Sequence, residues 1–217
     1  MPTKGEITRE ALLKTALTLF RRQGFDGTTM RDIAQEAGLS VGASYRHFKS
    51  KEDIVAAYYA RVQDKHEERV PHPWPADMQL AERLRILFAV KLDIVARDRR
   101  FLAALFRAVA EPDNPLGVFS AATSDVRRRS IALFGSALQG AIDPPLATPI
   151  ATALWLAHLA VLLRLVHDRS KGGAATSALA REAADAIASF IQLISLPMAR
   201  SLLTEPLLRI WALASDP

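Results

Sequence analysis

The chain of 217 residues contains no cysteine, and only 7% of its residues are aromatic. The absence of cysteine excludes a disulfide framework and a thiolate metal site. The sequence also has no glycine-rich phosphate loop, no HExxH motif and no nucleophile elbow, which are common signatures of enzymes. We therefore expect neither an enzyme nor a bound cofactor or metal ion.

Strand-like alternation, internal repeats and a signal segment are missing as well. The first ten residues, MPTKGEITRE, contain no apolar stretch, so we expect no secretory signal and a cytoplasmic location. Half of the residues are hydrophobic, which is enough for a sizeable helical core. The nearly continuous apolar run 150–166 is only seventeen residues long and contains His158 and Arg164. It is short and polar for a membrane span, so we expect a buried helix and no membrane association.

The most informative stretch is 29–48, TMRDIAQEAGLSVGASYRHF. Thr29 and Asp32 have the spacing of a capping box, which predicts the start of a helix. Gly38 then allows the chain to leave that helix in a left-handed conformation. Ser40 can cap a second helix, which runs to the end of the stretch. Two short helices joined by a tight turn form a helix-turn-helix, whose second helix enters the major groove of DNA.

Helices are also predicted on both sides of this motif, from Arg9 to Gln23 and from Ser50, with Asp53 as its capping partner, through Val62. The segments GFDGTT, RDIA, AGLS, YRHF and SK, together with Gly42, keep fixed spacings between about Ile7 and Val62. In these residues the sequence resembles the DNA-binding domain of the TetR family of bacterial transcriptional regulators. Beyond Val62 the resemblance is limited to length and helical character.

The resemblance implies a set of DNA-contacting positions. They are Thr29, Arg31, Val41, Gly42, Ala43, Tyr45, Arg46, His47, Lys49 and Lys51. Gly42 and Ala43 are small enough for the helix to approach base edges, and Arg46 can donate two hydrogen bonds to a guanine, worth about 1–3 kcal/mol of discrimination. Tyr45, His47, Lys49 and Lys51 suit phosphates, and Arg31 suits either a base or a phosphate. Ser44 stands where the family usually has a larger apolar residue, which predicts a less stable domain that still binds DNA.

Positive charge is concentrated in the same part of the chain. Residues 1–51 carry nine Lys or Arg against five acidic side chains, whereas the other 166 residues carry nineteen against eighteen. Most of the formal net charge of +5 therefore lies where DNA phosphates would be bound.

Three alternating prolines in Val70–Pro75 are incompatible with a helix and indicate a domain boundary. We predict an all-α protein with a helix-turn-helix domain at 1–65 and a larger helical bundle at 76–217, joined by a fourth helix. Helices in the second domain are expected at 78–96, 99–110, 116–139, 147–166, 177–195 and 198–214. The total is about nine or ten helices.

The helix predicted at 177–195 has two apolar faces. One comprises Leu179, Ala183, Ala186, Phe190 and Leu193, and the other comprises Ala180, Ala184, Ile187, Ile191 and Ile194. A helix of this kind can pack against its own core and a partner subunit at once, as TetR-like dimers do. We assign a homodimer interface to Leu154, Val161, Leu165, Ala180, Ala184, Ile187 and Ile191. An Ala184→Arg change is then expected to produce monomers.

The resemblance also implies an effector cavity in the larger domain. Candidate lining residues are Phe88, Phe106, Arg107, Phe119, Phe134, Trp155 and His158, although each of them can equally be ordinary core. Such a lining favours a small hydrophobic or aromatic effector, with an arginine available for a carboxylate.

Together these features predict a homodimeric, ligand-responsive transcriptional regulator, a repressor that binds a palindromic operator in double-stranded DNA of the bacterial nucleoid. Two alternatives remain open. One is a helical ligand-binding protein whose helix-turn-helix no longer reads DNA, for which Ser44 is the only support, and the other is an architectural DNA binder without an effector.

Overall fold

The computed structural model describes residues 1–109 and 114–215. Within these ranges it contains ten α-helices and no strand, which confirms the all-α prediction. The helices are α1 (Lys4–Gln23), α2 (Met30–Glu36), α3 (Val41–His47), α4 (Lys51–Arg69), α5 (Leu80–Val95), α6 (Arg99–Val109), α7 (Ser124–Ala137), α8 (Pro144–His167), α9 (Ala174–Ile194) and α10 (Pro197–Ser215). The helix end predicted at Ala110 lies outside the described residues.

The predicted first residue of helix α1 was Arg9, but the helix begins at Lys4. The Thr3 hydroxyl accepts a hydrogen bond from the Glu6 amide, and the Glu6 carboxylate accepts one from the Thr3 amide at 2.7 Å. This capping box satisfies two amides that the first turn of a helix leaves without partners. The sequence TKGE carries the signature of this capping box, and the predicted start at Arg9 overlooked it.

Helix α7 was predicted to begin near Leu116, but it begins at Ser124. The Thr123 hydroxyl donates to the Gly117 carbonyl at 2.8 Å, and Arg127 donates to the Val118 carbonyl at 2.7 Å. These side chains satisfy carbonyls of a folded loop, so the polypeptide there forms turns instead of another two turns of helix.

The chain forms two compact units. The first comprises Met1–Asp64 and Arg97–Arg127, and the second comprises Lys65–Ala96 and Arg128–Pro217. The division predicted from the prolines therefore differs in one segment, because 97–127 packs with the N-terminal residues. Contacts between residues far apart in sequence place 97–127 in the first unit. A single boundary along the sequence cannot predict a unit made of two separate segments.

In the first unit, the core of the N-terminal helices extends to α6. The rings of Phe20 in α1 and Phe101 in α6 are stacked with centroids 5.0 Å apart, and the Tyr58 ring of α4 meets Phe101 edge-on at 5.1 Å. All three side chains are buried. Aromatic pairs at these separations add stabilisation beyond the burial of their area, so α6 is part of this core.

A buried carboxylate joins three segments of the first unit. Asp98 directly precedes α6 and is nearly inaccessible to solvent. It accepts hydrogen bonds from Nε of Arg21 in α1 at 2.5 Å and from the Tyr58 hydroxyl in α4 at 2.9 Å. A buried carboxylate is tolerated when charged and polar donors surround it in this way. Burial, followed by the Asp98 charge, raises the pKa of Tyr58 well above its usual value, so its hydroxyl stays a donor.

In the second unit, α5, α8 and α9 enclose the core. Leu84 and Leu87 of α5, Leu154 of α8, and Ala184 and Ile191 of α9 are all buried. Among the described residues, α8 is the one helix that is long and apolar enough to cross a membrane by length and composition.

The structure reverses the predicted orientation of α9. Ala180, Ala184 and Ile191, which were assigned to the dimer interface, are buried within their own chain, as are Leu154, Val161 and Leu165 of α8. Ile187 is half-buried. Side chains enclosed by their own protomer cannot contact a partner. The opposite face of α9 is the exposed one, with Leu179, Phe190 and Leu193 each about half-exposed.

The Asp98 contacts predict a large loss of stability on truncation. In Asp98→Ala the buried Tyr58 hydroxyl loses its partner, and we expect the free energy of unfolding to fall by about 3 kcal/mol, the lower end for a broken buried pair because Arg21 is half-exposed. Urea denaturation measures this change. The control is Glu36→Ala, which removes the exposed ion pair with Arg22 and should cost less than about 1 kcal/mol. Equal losses in the two variants would contradict the role of Asp98.

Candidate nucleic-acid interface

The predicted helix-turn-helix is present, and each capping contact is as expected. The Thr29 hydroxyl accepts from the Asp32 amide at 3.1 Å, and the Asp32 carboxylate accepts from the Thr29 amide at 2.8 Å. The Thr29 hydroxyl also donates to the carboxylate. These contacts with Thr29 lower the pKa of Asp32, so the carboxylate remains ionised at the N-terminus of α2, where negative charge is favourable.

The turn between α2 and α3 is closed by backbone contacts. Gly38 has φ of +68°, a conformation that glycine adopts without steric cost, and the Leu39 amide donates to the Ala34 carbonyl at 2.9 Å. The Ser40 hydroxyl then accepts from the Ala43 amide at 3.1 Å. Helix α3 is thereby fixed at its first residue, which a seven-residue helix needs because it is too short to be stable alone.

The side chains on the outer face of α3 are not needed for packing or hydrogen bonding within the described residues. Tyr45 is 48% exposed, and Arg46 is exposed beside it. In the described part of the chain, the side chains of Tyr45, Arg46 and His47 form no hydrogen bond or ion pair. A Cβ on Gly42 would meet no atom within 4 Å, so internal packing does not require glycine there. A small residue at this point instead leaves room for something outside the protein.

The inner face of α3 explains how Ser44 is tolerated. Ser44 is completely buried, and its hydroxyl donates to the Val41 carbonyl at 2.7 Å. The hydroxyl is therefore satisfied without any partner outside α3. Phe48, also buried, lies beneath the guanidinium of Arg9 at 4.5 Å from the ring centroid, a separation at which a cation–π interaction is favourable.

The flanking basic residues differ in their surroundings. Arg31 and Lys49 are exposed and project positive charge at the starts of α2 and α4. Lys51 is half-buried: its ammonium donates to the Phe25 carbonyl at 2.8 Å and lies 4.3 Å from the centroid of the Phe25 ring. The Lys51 side chain therefore holds the loop after α1, a contact that no sequence pattern indicated.

The seven residues suggested for an effector cavity are divided between the two units. Phe106, Arg107 and Phe119 belong to the first unit, where Arg107 is exposed and pairs with Asp26 at 2.9 Å and Phe119 is 65% exposed. Phe88, Phe134, Trp155 and His158 are buried in the second unit. In that unit the Phe134 centroid is 5.9 Å from that of Phe88 and 5.4 Å from that of His158.

Two buried bases accompany these aromatic residues and were missed in the sequence. His66 of α4 is fully buried and Lys91 of α5 is 5% exposed. Burial lowers the pKa of Lys91 to about 7, and burial together with the Lys91 charge lowers the pKa of His66 to about 2 and that of His158 to about 3. The signal for Lys91 was its position on the apolar stripe of Leu84, Phe88 and Val95.

The described residues contain no group of three His, Asp or Glu side chains arranged to bind a metal ion. The arrangement thus offers two distinct chemical surfaces. One is the exposed polar face of α3 in the first unit, and the other is the buried set of bases and aromatic rings in the second unit.

Comparison with known proteins relates the domain that carries the first surface to bacterial regulatory proteins. Residues 12–58 match the family described as "Bacterial regulatory proteins, tetR family". Over 54 residues the chain is 46% identical to the HTH-type transcriptional repressor KstR2 of Mycolicibacterium smegmatis, a match that covers 25% of this chain and 26% of that protein. The chain therefore spans about a quarter of the length of this curated relative.

The fold extends the similarity over most of the chain. A TetR-family transcriptional regulator from Syntrophomonas wolfei superposes with a TM-score of 0.69 at 17% identity, covering 86% of this chain and 97% of that one. FadR from Thermus thermophilus, a repressor solved in complex with lauroyl-CoA, gives a TM-score of 0.61 at 21% identity, with coverage of 83% and 92%. Residues 12–58 therefore form a domain of the TetR family of bacterial regulatory proteins, and the fold of the chain is that of TetR-family structures.

Proposed function

We propose that this protein is a homodimeric, sequence-specific DNA-binding transcriptional regulator, a repressor that a small-molecule effector releases from a palindromic operator. The observation that carries this proposal is the outer face of α3, where Tyr45, Arg46 and His47 are available to an external partner. The capped turn before α3 holds this face in the orientation that a recognition helix needs. Repressor activity is the activity named for KstR2, and both proteins share this domain.

The contacts of individual residues divide the candidate DNA-binding set by role. Arg46 suits bidentate recognition of a guanine, since its guanidinium is exposed and unpaired within the described residues. Tyr45, His47, Lys49 and Arg31 suit phosphates. Val41, Gly42 and Ala43 suit close approach to bases. Lys51 and the hydroxyl of Thr29 are engaged within the domain, so we assign them the role of holding the interface in shape.

Of the two alternatives, the ligand-binding protein that no longer reads DNA had Ser44 as its only support. Because the Ser44 hydroxyl is satisfied within α3, this residue gives no reason to expect a disabled domain. The architectural DNA binder differs from a repressor in having no effector. Tuning by an effector is supported by the buried bases and rings of the second unit, and FadR of the same fold binds lauroyl-CoA. We place the protein on DNA in the bacterial cytoplasm.

The function is tested by selecting bound fragments from a random duplex library in about 0.15 M salt, at which non-specific phosphate binding is weak. We expect a palindrome whose half-sites are separated by about one helical turn or a small multiple of it. Recovery of no consensus by folded protein would contradict sequence-specific regulation.

Substitutions in α3 and in the loop directly after it should separate base recognition from phosphate binding. Arg46→Ala is expected to weaken operator binding by about 1–3 kcal/mol and to relax the preference at particular base pairs, whereas Lys49→Ala should weaken binding to all sequences and reduce the salt slope by about one. Fluorescence anisotropy at several salt concentrations measures both. Lys171→Ala, which removes one charge in the loop before α9, is the control. If Arg46→Ala altered neither affinity nor preference, α3 would not be the recognition helix.

The exposed faces of α8 and α9 support a dimer of this chain. Leu156 and Leu163 of α8 and Leu179, Phe190 and Leu193 of α9 are each about half-exposed. A run of large apolar side chains of this kind marks an interaction surface, and two helices from each subunit would form a four-helix interface. This face replaces the one first assigned from the sequence.

Phe190→Arg is therefore expected to give folded monomers, because a charge would be desolvated in the interface. Light scattering at micromolar concentration and circular dichroism measure mass and folding. Gln192→Arg places the same charge on another side of α9 and should leave the dimer intact. Ala184→Arg, by contrast, is now expected to unfold the protein, since Ala184 is fully buried. A folded, dimeric Phe190→Arg protein would contradict this interface.

A further inference from the structure

Arg9 is a basic residue of the first unit that was not among the predicted DNA-contacting positions. It lies on α1, and its side chain is exposed. The guanidinium lies over the ring of Phe48, 4.5 Å from the ring centroid, and Phe48 directly follows the last residue of α3. Arg9 therefore brings a positive charge to the end of the candidate recognition helix from a different part of the chain.

The first turn of α1 fixes the backbone at Arg9. The helix begins at Lys4, and the capping box of Thr3 and Glu6 closes its N-terminus. The Thr8 hydroxyl donates to the Lys4 carbonyl at 2.9 Å within the same turn. Arg9 thus lies more than one turn inside a capped helix, and not at a frayed end, as a helix that began at Arg9 itself would have placed it.

The charge of Arg9 is not neutralised within its own domain. The carboxylate of Glu10, the next residue, accepts from Nη1 of Arg61 at 2.8 Å. The carboxylate of Asp53, at the start of α4, accepts from the Lys49 amide at 2.9 Å. Over the part of the chain that the structure describes, the Arg9 side chain takes part in no hydrogen bond or ion pair. Contact with a ring face uses none of the five guanidinium donors, so all of them remain available.

A second cation of the same domain, Lys51, also lies against an aromatic ring and shows the difference. Its ammonium is 4.3 Å from the centroid of the Phe25 ring, but it also donates to the Phe25 carbonyl at 2.8 Å. The Lys51 charge is therefore engaged by the protein, whereas Arg9 has the ring without an acceptor. A guanidinium held by a ring loses little freedom on binding, and its planar fork of donors matches two oxygens of a phosphate.

The end of α3 is a position at which such a donor meets the DNA backbone. The major groove is about 12 Å wide and a helix with its side chains is about 10–12 Å in diameter. Groups packed beside a recognition helix therefore lie close to the phosphates on either side of the groove. Lys49, which follows Phe48 directly, is exposed as well. Arg9 and Lys49 thus place two positive charges next to the same aromatic residue.

We propose that Arg9 is a further DNA-binding residue, which is held by Phe48 and donates to a backbone phosphate of duplex DNA beside the last turn of α3. This inference rests on the proposed DNA-binding function and adds a contact that neither the motif nor the resemblance indicated. Phosphates are the same at every base pair, so Arg9 contributes affinity and register but no base preference. Phe48 is a positioning residue, because it contacts the guanidinium and not the DNA.

The test measures the salt dependence of DNA binding by the full-length protein. Fluorescence anisotropy is recorded between about 0.05 and 0.2 M salt with the selected operator and with a random-sequence duplex of the same length. Arg9→Ala is expected to weaken binding to both duplexes and to reduce the salt slope by about one for each subunit bound. Arg9→Lys keeps the charge but not the planar fork, so it should weaken binding and leave the slope unchanged.

Lys14→Ala is the matched control. It removes one positive charge from another exposed position of α1, about 140° around the helix from Arg9. We expect it to leave the salt slope unchanged.

Phe48→Leu tests the positioning role, because it keeps an apolar side chain in the core and removes the ring. Without the ring the guanidinium is no longer held. Arg9→Ala should therefore weaken DNA binding less in the Phe48→Leu protein than in the wild type, a coupling that a double-mutant cycle measures.

Circular dichroism and Tm are measured for every variant. The proposal is wrong if the folded Arg9→Ala protein keeps the wild-type salt slope; a lower Tm with that slope would show that Arg9 only packs on Phe48. It is also wrong if Lys14→Ala reduces the slope equally, or if Arg9→Ala changes the preferred bases in the operator selection. A wild-type protein that bound no duplex at low salt would instead contradict the proposed function itself.

Discussion

The buried carboxylate of Asp98 is the contact on which the first unit depends. It accepts from Arg21 of α1 and Tyr58 of α4, the two long helices that support the helix-turn-helix. Removing either donor leaves the Asp98 charge in the core with fewer partners. The packing of the three segments therefore depends on both donors together. The reading surface on α3 therefore depends on a residue that immediately precedes α6, well outside the matched family region of 12–58.

The unit that contains the helix-turn-helix therefore extends further along the chain than the sequence suggests. The predicted domain ended at residue 65, whereas Phe101 of α6 is stacked on Phe20 in the same core. The segment 97–127 can thus act on α1 and α4 without an intermediate element. A displacement of α6 alters the surroundings of Asp98 and Phe101, and through them the two helices that carry the helix-turn-helix.

The parts of the structure that were predicted correctly depend on neighbours in sequence. Thr29 with Asp32, Gly38 and Ser40 each act over three or four residues, so their spacing was sufficient to locate α2, the turn and α3. Thr3 with Glu6 has the same spacing and was available to the same reasoning. The candidate site on α3 was predictable for the same reason, because exposure follows once a short helix has its inner face fixed by Ser44 and Phe48.

The parts that were missed depend on contacts between distant residues. Periodicity showed that α9 has two apolar faces, but both have the same spacing, and only packing within the unit decides that Ala184 faces inward and Phe190 outward. The partners of Asp98 are 77 and 40 residues away. Lys51 was predicted to contact DNA from the resemblance, and its additional contacts with the Phe25 carbonyl and ring join residues 26 positions apart. No pattern in the sequence distinguishes these outcomes.

A modest free energy is sufficient for an effector to control such a protein. Releasing DNA a hundredfold requires a ligand preference of about 2.7 kcal/mol between the two conformations. His66 lies on α4 about two turns from Tyr58. One helix therefore contributes a buried base to the second unit and a donor to Asp98 in the first.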